Sequence, residues 1–385
     1  MKSNPFEQIR ECHRNERPLP GVAYRDADIF ALECETLLRD SWTSIACGQN
    51  VAEPGDLLPV RIAGQSLLVL RDGAGQVRVF YNLCRHRGAP LADAKCRAQG
   101  GRITCPYHAW SYGLDGGLVA APHFQRDRDN GQPSNEQRAD LGLLPVRSAV
   151  WRDIVFVNLS SDAQPFEDFI RPLDERLARW TADELRPAGS DEYEIQANWK
   201  LAAENFLDVY HLPVVHAELI DGFDSILDME DVEVSPDIVG VILPRIYAAD
   251  SEQHESSLPR FSGLLEEDSV SVEVYGVFPN TMILVEPDTQ QVIVLRPQSP
   301  EVTHETFANY LVSDASQTQD LAKERDEYYR QSIEVNDQDA SLLARLQPTR
   351  AMDVGDKGHL TRAWDQTNRR FQRLWAQKLL AGLDR

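Results

Sequence analysis

Two pairs of side chains, each made of one cysteine and one histidine, most constrain what this chain can fold into. Cys84 is followed by His86, and after 18 intervening residues Cys105 is followed by His108. In one kind of [2Fe–2S] cluster, two thiolates hold one iron and two neutral imidazoles hold the other, which raises the reduction potential. The short spacing within each pair suits two rigid loop tips that close over such a cluster, and Pro106 stiffens the second of them.

A structural zinc site with two cysteines and two histidines is the alternative interpretation of these pairs. Zinc fingers place cysteine with cysteine and histidine with histidine, whereas each pair here is mixed, so the spacing favours the iron–sulfur cluster. Cys96 lies between the pairs and outside their pattern, which indicates a thiol that is not a ligand. Cys12, Cys34 and Cys47 also lack the spacing of a metal site.

The pattern of apolar residues divides the chain into three parts. Residues 1–40 have the pattern of an N-terminal helical arm. Residues 41–160 contain short strand-like runs separated by turn residues, which predicts a small antiparallel β domain around the two pairs. In residues 161–385, helical and strand-like segments alternate, and a long helix is predicted from Asp320 to Leu346. We expect this last part to form a second domain.

The chain is strongly acidic, with 61 Asp and Glu against 39 Lys and Arg among 385 residues. This balance argues against binding to nucleic acid or to an anionic membrane, because both attract Lys and Arg. No apolar run approaches the roughly 20 residues that span a bilayer. The first residues also lack the apolar core of a signal peptide. We therefore expect a cytoplasmic protein whose cysteines stay reduced.

A second group of metal-binding residues lies in the segment from Asn198 to His216. The segment has the pattern of a helix that is broken near Pro213, and Asp208 and His211, three residues apart, would share one face. His211 and His216 are five residues apart and would not converge on a straight helix, but a bend at the proline makes convergence plausible. An iron(II) site with two histidines needs a carboxylate as its third ligand.

The predicted late helix offers three carboxylates for that position: Glu334, Asp337 and Asp339. Asp339 falls on the apolar stripe of the helix, whereas Asp337 lies about 200° away and should face solvent. An acid on an apolar stripe needs a partner, since burying it unpaired is costly. From the residues alone, a solvated or hydrogen-bonded Asp339 is slightly favoured over a metal ligand. The stripe consists of Val335, Asp339, Leu342, Leu343 and Leu346.

Both loops resemble the cluster-binding loops of Rieske non-haem iron oxygenases, the family that includes the alpha subunits of aromatic-ring-hydroxylating dioxygenases. The similar stretches are residues 84–91 (CRHRGAPL) and 105–112 (CPYHAWSY), and residues 114–118 (LDGGL) resemble the next hairpin of the family. The order and spacing of such features are similar over nearly the whole chain. The resemblance implies that the [2Fe–2S] cluster is bound by Cys84, His86, Cys105 and His108.

The family also has a second motif: an Asn, an acid and two histidines with four residues between them, then a distant acid eight residues before a Gln. The resemblance implies that His211, His216 and Asp339 bind a mononuclear iron. It implies that Asp208 links an iron histidine of one subunit to a cluster histidine of its neighbour, because a metal-bound imidazole offers its other N–H to a carboxylate. Asn205 resembles a residue near the iron, although some relatives have one more residue between this Asn and the acid. The matching residues are Asn205, Asp208, His211, His216, Asp339 and Gln347.

By the same resemblance, the fold class is α+β, with an antiparallel β Rieske domain and a catalytic domain of helix-grip type. The implied activity is that of a terminal oxygenase, which uses O2 to hydroxylate or demethylate a small polar organic substrate. No Gly-x-Gly-x-x-Gly fingerprint of a flavin or nicotinamide site is present, so we expect electrons from a separate NAD(P)H-dependent reductase or ferredoxin. The family further implies a head-to-tail homotrimer, in which the cluster of one subunit serves the iron of the next.

The identity of the substrate stays open between two classes. The N-terminal arm, with Leu19-Pro20-Gly21, Tyr24 and Trp42, loosely resembles that of the choline, glycine betaine and carnitine oxygenases. Arg245, if it points inward, would favour a carboxylated substrate. Aromatic-ring dihydroxylation is the alternative activity, and an electron carrier or a zinc-stabilised binding module are alternatives from other classes. The aromatic residues considered for a cation-binding pocket are Phe223, Tyr247, Phe261, Tyr275 and Phe278.

Overall fold

The computed structural model describes residues 4–125, 131–160, 162–218, 220, 222–244, 258–266, 268 and 271–383. Two compact units make up the chain. One consists of residues 44–161, and the other consists of residues 1–43 together with residues 162–385. The N-terminal helices therefore belong to the same unit as the C-terminal part of the chain.

Helices and antiparallel strands both contribute to the fold, which confirms the predicted α+β class. None of the helices in the described ranges has the length and apolar character needed to cross a bilayer. The helices are α1 (Pro5–Arg14), α2 (Ala27–Glu35), α3 (Leu37–Asp40), α4 (Asn135–Asp140), α5 (Phe166–Arg176), α6 (Trp199–Leu207), α7 (Leu212–Val215), α8 (Ala322–Arg350) and α9 (Gln366–Leu383). The strands are β1 (Thr43–Cys47), β2 (Asp56–Ile62), β3 (Gln65–Arg71), β4 (Val77–Tyr81), β5 (Cys96–Arg97), β6 (Arg102–Thr104), β7 (Ser111–Gly113), β8 (Leu118–Ala120), β9 (Arg147–Trp151), β10 (Ile154–Asn158), β11 (Leu185–Ile195), β12 (Glu230–Ser235), β13 (Ile238–Pro244), β14 (Ser271–Val277), β15 (Thr281–Val285), β16 (Thr289–Ser299) and β17 (Val302–Val312).

The unit of residues 44–161 is built from three small sheets with strand orders β4-β3-β2-β5, β6-β7-β8 and β1-β10-β9. The first cysteine–histidine pair follows β4, and the second pair lies in the turn between β6 and β7. Leu68, Leu70 and Phe80 from the first sheet pack in one core cluster with Ile103 and Tyr112 from the second. The two loops thus rest on a shared apolar core, which holds them in fixed positions.

The larger unit contains one antiparallel sheet of seven strands, in the order β11-β17-β16-β15-β14-β13-β12. The strands β16 and β17 form its longest hairpin, paired from Thr289 opposite Leu311 to Pro297 opposite Thr303, and the register shifts between Pro297 and Ser299. The helices α6, α8 and α9 pack against this sheet. Their apolar side chains, among them Trp199 and Trp375, form one core with the inward-facing residues of the strands. A long helix packed against an antiparallel sheet agrees with the predicted helix-grip arrangement.

A buried ion pair fixes the start of α6 within this core. Lys200 and Glu33 are both inaccessible to solvent, and the Lys200 Nζ atom lies 2.5 Å from Glu33 Oε1. The indole N–H groups of Trp199 and Trp375 donate to the same carboxylate at 3.0 and 2.8 Å. A buried charge is tolerated only when its partners satisfy it. The contact therefore ties α2, α6 and α9 together, and α6 leads into the segment with the two histidines.

Candidate metal centres

The two mixed pairs meet with their thiols inside the core and their imidazoles at the surface. Cys84 and Cys105 are each 2% exposed, whereas both histidines are exposed. Backbone hydrogen bonds close each loop: the Cys84 N–H donates to the Ala89 carbonyl at 2.8 Å, and the Cys105 N–H donates to the Trp110 carbonyl at 2.8 Å. These bonds hold the chain on either side of each thiol, so the loops present their ligands without rearrangement.

The two imidazoles of the pairs face each other. The Nδ1 atoms of His86 and His108 are 3.2 Å apart, and the Trp110 ring stacks on His86 with 5.0 Å between centroids. Desolvation, together with the positive charges of His108 and Arg87, lowers the pKa of His86. A lowered pKa favours the neutral imidazole, which is the form that binds a metal.

This set of donors fits a [2Fe–2S] cluster with two thiolate and two imidazole ligands. Burial raises the pKa of the Cys84 thiol, so a bound iron would be needed to keep its sulfur ionised. The hydroxyl of Tyr112 lies 3.2 Å from Cys84 Sγ and accepts a hydrogen bond from the Arg85 N–H at 3.0 Å. Cys96, which the spacing excludes as a ligand, is an exposed residue of β5.

The second group of predicted ligands converges in the larger unit. The Nε2 atoms of His211 and His216 lie 3.5 and 3.3 Å from Oδ1 of Asp339, and the three ligand atoms are within 4.8 Å of one another. All three atoms are buried, and none has a hydrogen-bond partner among the described residues. Two imidazole nitrogens and one carboxylate oxygen around a common point fit the facial triad of an iron(II) site.

The histidine segment is shaped differently from the sequence prediction. The helix does not break near Pro213: α6 already ends at Leu207, and Asp208 is extended with φ −91° and ψ 116°. The Asp208 carboxylate accepts a hydrogen bond from the Tyr210 N–H at 2.8 Å, a local turn that competes with helix. Pro213 stands in the first turn of α7, where a proline is tolerated. The two histidines therefore flank a four-residue helix, and their ring centroids are 5.2 Å apart.

The stripe predicted for the late helix was also partly wrong. On α8 the fully buried residues are Ser332, Asn336, Leu343 and Gln347, so the buried face is largely polar. Leu346 is 39% exposed, although the prediction placed it in the core. Asp337 is exposed, as predicted, and Asp339 is half-buried at the edge of the polar face. Ser332 and Asn336 on this face line a cavity, whereas Gln347 accepts a hydrogen bond from the Asn198 N–H and donates to the Tyr24 carbonyl.

The charges in this site act on the two ionisable partners in opposite directions. Burial raises the pKa of Asp339, but the close approach and positive charge of His211 and His216 outweigh burial and hold that pKa well below its ordinary value. Burial lowers the pKa of His211, whereas the carboxylates of Asp208 and Asp339 raise it to about 9. The site thus keeps a carboxylate ionised at neutral pH and attracts positive charge, which a divalent metal supplies in place of the proton.

Each histidine has a different partner at its outer nitrogen. His211 Nδ1 lies 3.4 Å from Oδ2 of Asp208, while His216 Nδ1 lies 2.7 Å from the amide oxygen of Gln338. Asp208 was predicted at this place, and Gln338 was missed. No spacing in the sequence marks Gln338, because its contact with His216 joins two segments that are distant along the chain.

A cavity of about 480 Å³ adjoins the three ligands, and Asn205 is part of its wall. No Lys or Arg occurs among the described residues that line it. Its lining includes the carboxylates of Glu218 and Glu286, the rings of Phe206, Phe307 and Tyr328, and the aliphatic residues Val209, Leu212, Ile220, Leu243, Val272, Val274, Leu284, Ile293 and Val335.

Of the aromatic residues proposed from sequence for the pocket, those that the structure describes do not line this cavity. Phe278 packs on Trp199 in the core, Tyr275 is buried and its hydroxyl contacts Glu273, and Phe261 is buried elsewhere. Phe223 belongs to a partly exposed cluster with Tyr210. Both Arg245 and Tyr247 lie outside the described residues.

Comparison with known proteins covers both units. Residues 182–381 match the family described as "Ring hydroxylating alpha subunit (catalytic domain)", and residues 41–141 match the "Rieske [2Fe-2S] domain". The chain is 31% identical to the glycine betaine monooxygenase oxygenase subunit of Chromohalobacter salexigens, over 58% of this chain and 48% of that protein. It spans about half the length of that relative.

Two further similarities extend over more of the chain. The chlorobenzene dioxygenase subunit alpha of a Cupriavidus species is 28% identical, over 80% of this chain and 73% of that one. The crystal structure of a quaternary ammonium Rieske monooxygenase in complex with L-carnitine superposes with a TM-score of 0.73, covering 98% of this chain and 99% of that chain at 23% identity. At that identity the superposition establishes the fold, in agreement with the α+β prediction.

Proposed function

Because this chain belongs to the family of ring-hydroxylating oxygenase alpha subunits, we propose that it is the oxygenase component of a multicomponent Rieske oxygenase. In this proposal it uses O2 and electrons from a separate NAD(P)H-dependent reductase or ferredoxin to hydroxylate or demethylate a small polar organic substrate. The convergence of His211, His216 and Asp339 beside a cavity of substrate size is the observation that carries the proposal. The compartment we expect is the cytoplasm, where thiol ligands stay reduced.

A Rieske domain and this catalytic domain imply a [2Fe–2S] cluster and a mononuclear iron. We take residues 41–160 as the Rieske domain, residues 161–385 as the catalytic domain, and residues 1–40 as a helical arm of the latter. When bound, the cluster supplies electrons and the iron supplies the reactivity toward O2. The chain's own residues hold the ligands in place, orient the imidazoles and limit the access of water. The proposed ligands are Cys84, His86, Cys105 and His108 for the cluster and His211, His216 and Asp339 for the iron, with Asn205 beside the iron.

We also propose that Asp208 bridges the two centres between subunits of a head-to-tail homotrimer. Its side chain is 26% exposed, and the exposed apolar residues Tyr210 and Val214 follow it along the chain. Such a surface beside a carboxylate suits contact with a second protein. His86 and His108 are exposed as well, so both ends of the proposed bridge reach the surface.

The distribution of charge supports the same assembly. Residues 44–161 contain 13 Lys and Arg against 10 Asp and Glu, while the rest of the chain contains 26 against 51. A slightly basic Rieske domain of one subunit would be attracted to the strongly acidic catalytic domain of the next. Two catalytic domains would repel each other, because both carry a large negative charge.

A positively charged substrate, such as a quaternary ammonium compound, fits the described lining of the cavity. Glu218 and Glu286 contribute negative charge, and the described lining residues include neither Lys nor Arg. The rings of Phe206, Phe307 and Tyr328 can contact methyl groups on a cationic nitrogen. Glycine betaine is the substrate named for one relative and carnitine the ligand of a structural neighbour, which agrees with this choice.

Aromatic-ring dihydroxylation is the second candidate function. It is favoured by the likeness to a chlorobenzene dioxygenase subunit over most of the chain and by the many aliphatic residues in the cavity wall. The two candidates differ in their products, because oxidation of one N-methyl group of a quaternary ammonium compound releases formaldehyde and a tertiary amine, whereas ring dihydroxylation gives a cis-diol.

An oxygen-consumption screen tests the proposal. The purified protein, loaded with iron and sulfide, is combined with a reductase of this family and offered choline, betaines, carnitine or aromatic acids. We expect O2 uptake coupled to formaldehyde release with a quaternary ammonium substrate, and no uptake with Asp339→Ala. A diol product would support the second candidate. The electron donor must be shown to reduce the cluster. If no substrate then increases O2 uptake, the oxygenase assignment is contradicted.

A further inference from the structure

Two consecutive residues of α8 contact opposite sides of the His216 ring. Asp339 Oδ1 lies 3.3 Å from Nε2, and the side-chain oxygen of Gln338 lies 2.7 Å from Nδ1. The imidazole is 3% exposed, so it has little freedom to turn away from either contact. The orientation of His216 is therefore determined by a single turn of one helix.

We propose that Gln338 is a positioning residue, which fixes the tautomer and the ring plane of His216 so that Nε2 is free to bind the metal. This inference rests on the proposed iron site. Binding of a metal at Nε2 leaves the proton of the neutral imidazole on Nδ1, and that N–H needs an acceptor when it is buried. The amide oxygen of Gln338 supplies it. With the amide turned round, its NH2 group would face Nδ1 and favour the other tautomer, in which Nε2 carries the proton.

The uncharged partner distinguishes His216 from the other imidazole of the site. The Nδ1 atom of His211 faces the carboxylate of Asp208, whereas that of His216 faces an amide. A carboxylate partner makes a ligating imidazole more basic, while an amide orients it with a smaller electronic effect. Of the two iron histidines, only His211 is therefore affected by the Asp208 carboxylate. Gln338 orients the ring of His216.

The surroundings of Gln338 explain why an amide suits this position. Besides contacting His216, it borders an open groove on the outer face of α8 together with the charged residues Arg330, Glu334 and Asp337. A half-buried carboxylate here would add a further negative charge near Asp339 and would cost more to bury than an amide. Gln338 therefore supplies the acceptor without changing the charge of the metal site.

Metal binding by designed variants tests this role independently of turnover. The mononuclear site of the cluster-loaded protein is emptied with a chelator and titrated with Co²⁺ by equilibrium dialysis. The EPR spectrum of bound Co²⁺ then reports the ligand geometry, since the oxidised cluster gives no EPR signal. Gln338→Leu removes the acceptor at similar volume, Gln338→Asn shortens the side chain, and Gln338→Glu restores an acceptor. Asp337→Asn is the matched control on the neighbouring, exposed position.

We expect Gln338→Leu and Gln338→Asn to weaken Co²⁺ binding by about 10- to 100-fold and to alter the EPR line shape. Gln338→Glu should bind at least as tightly as the wild type, and Asp337→Asn should be unchanged in both readouts. An unchanged dissociation constant and spectrum in Gln338→Asn, a variant small enough to fold, would overturn the inference. If the wild type bound Co²⁺ no better than Asp339→Ala, the proposed iron site itself would fail, and this inference with it.

Discussion

Asp208 occupies the point at which the candidate iron site reaches the protein surface. Its Oδ2 atom faces Nδ1 of His211 at 3.4 Å, while Oδ1 accepts the Tyr210 N–H at 2.8 Å. The side chain is only partly buried, so one carboxylate can contact an internal ligand and a group of a second subunit. A residue with a purely local role would need no such exposure.

Replacing Asp208 by Ala should leave both metal centres loaded and abolish product formation. The iron ligands remain in place, whereas the proposed link to the neighbouring cluster is lost. Iron and sulfide contents and single-turnover product yield measure the two effects separately. Asp365→Ala, which removes a nearby acid that is not a proposed ligand, is the control. Turnover of Asp208→Ala close to that of the wild type would exclude the bridging role.

The choice of Asp339 as the third ligand can be tested against its neighbour on α8. Asp339→Ala should deplete the mononuclear iron and retain the absorption spectrum of the cluster, because the cluster ligands lie in the other unit. Asp337→Ala should change neither, since Asp337 is exposed. Metal analysis together with the visible spectrum provides the comparison. Full retention of iron in Asp339→Ala would mean that another carboxylate is the ligand.

A buried acid connects the strand β17 to the helix α8 behind the candidate iron site. Glu305 is 4% exposed and accepts a hydrogen bond from Asn336 Nδ2 at 2.8 Å. Burial, with the nearby charge of Asp339, raises the pKa of Glu305 from 4.5 to about 7, although Asn336 opposes the shift. The folded protein thus favours the protonated acid at a pH where the unfolded chain has ionised it.

This shift predicts a loss of stability as the pH rises. The contribution of the buried neutral acid is complete below pH 4.5 and disappears as the pH approaches about 7, and it is on the order of 3 kcal/mol. Glu305→Gln cannot ionise, so the melting temperature of the wild type should fall relative to this variant between pH 5 and pH 8. Glu194→Gln, an exposed acid on β11, is the control. A difference in melting temperature that is equal at both pH values would refute the prediction.

The proposed ligand residues could be predicted from sequence because the two mixed pairs and the two iron histidines have short, fixed spacings, and the family pattern adds the distant carboxylate. The two mixed pairs define their loops within a few residues, and the family pattern selects His211, His216 and Asp339 among several candidates. The backbone conformation of the segment with the two histidines was harder to predict. The helix α6 ends at Leu207 because the Asp208 side chain forms a turn with the backbone. The sequence pattern predicted the break at Pro213 instead.

The walls of the cavity could not be predicted in the same way. Leu243, Leu284 and Phe307 meet there from three different strands, and which face each side chain takes depends on strand register. A shift of one residue would turn each of them away from the cavity. Tyr275 illustrates this ambiguity, because its neighbour Val274 on β14 lines the cavity while Tyr275 takes the other face. Gln338 has no spacing signal, because its role comes from a single tertiary contact.

The proposed assembly as a ring of three chains makes transfer between subunits a testable property. Cys105→Ser should lack the cluster and keep the iron, and Asp339→Ala should lack the iron and keep the cluster, so each variant alone should be inactive. When the two are co-expressed in equal amounts, about a quarter of the chains should hold iron beside a neighbour with a cluster. We expect about that fraction of the wild-type rate. Two different affinity tags would show that the assemblies contain both variants. If such assemblies recovered no activity, electron transfer across the subunit boundary would be contradicted.

An oxygenase of the proposed kind needs two separate iron centres in one polypeptide, and the content of metal and sulfide measures this directly. Protein that is fully loaded under anaerobic conditions should contain close to three iron atoms and two acid-labile sulfides per chain. Asp339→Ala should contain close to two of each. A wild-type protein that repeatedly holds only two irons per chain, or that holds iron without acid-labile sulfide, would contradict the presence of these two centres.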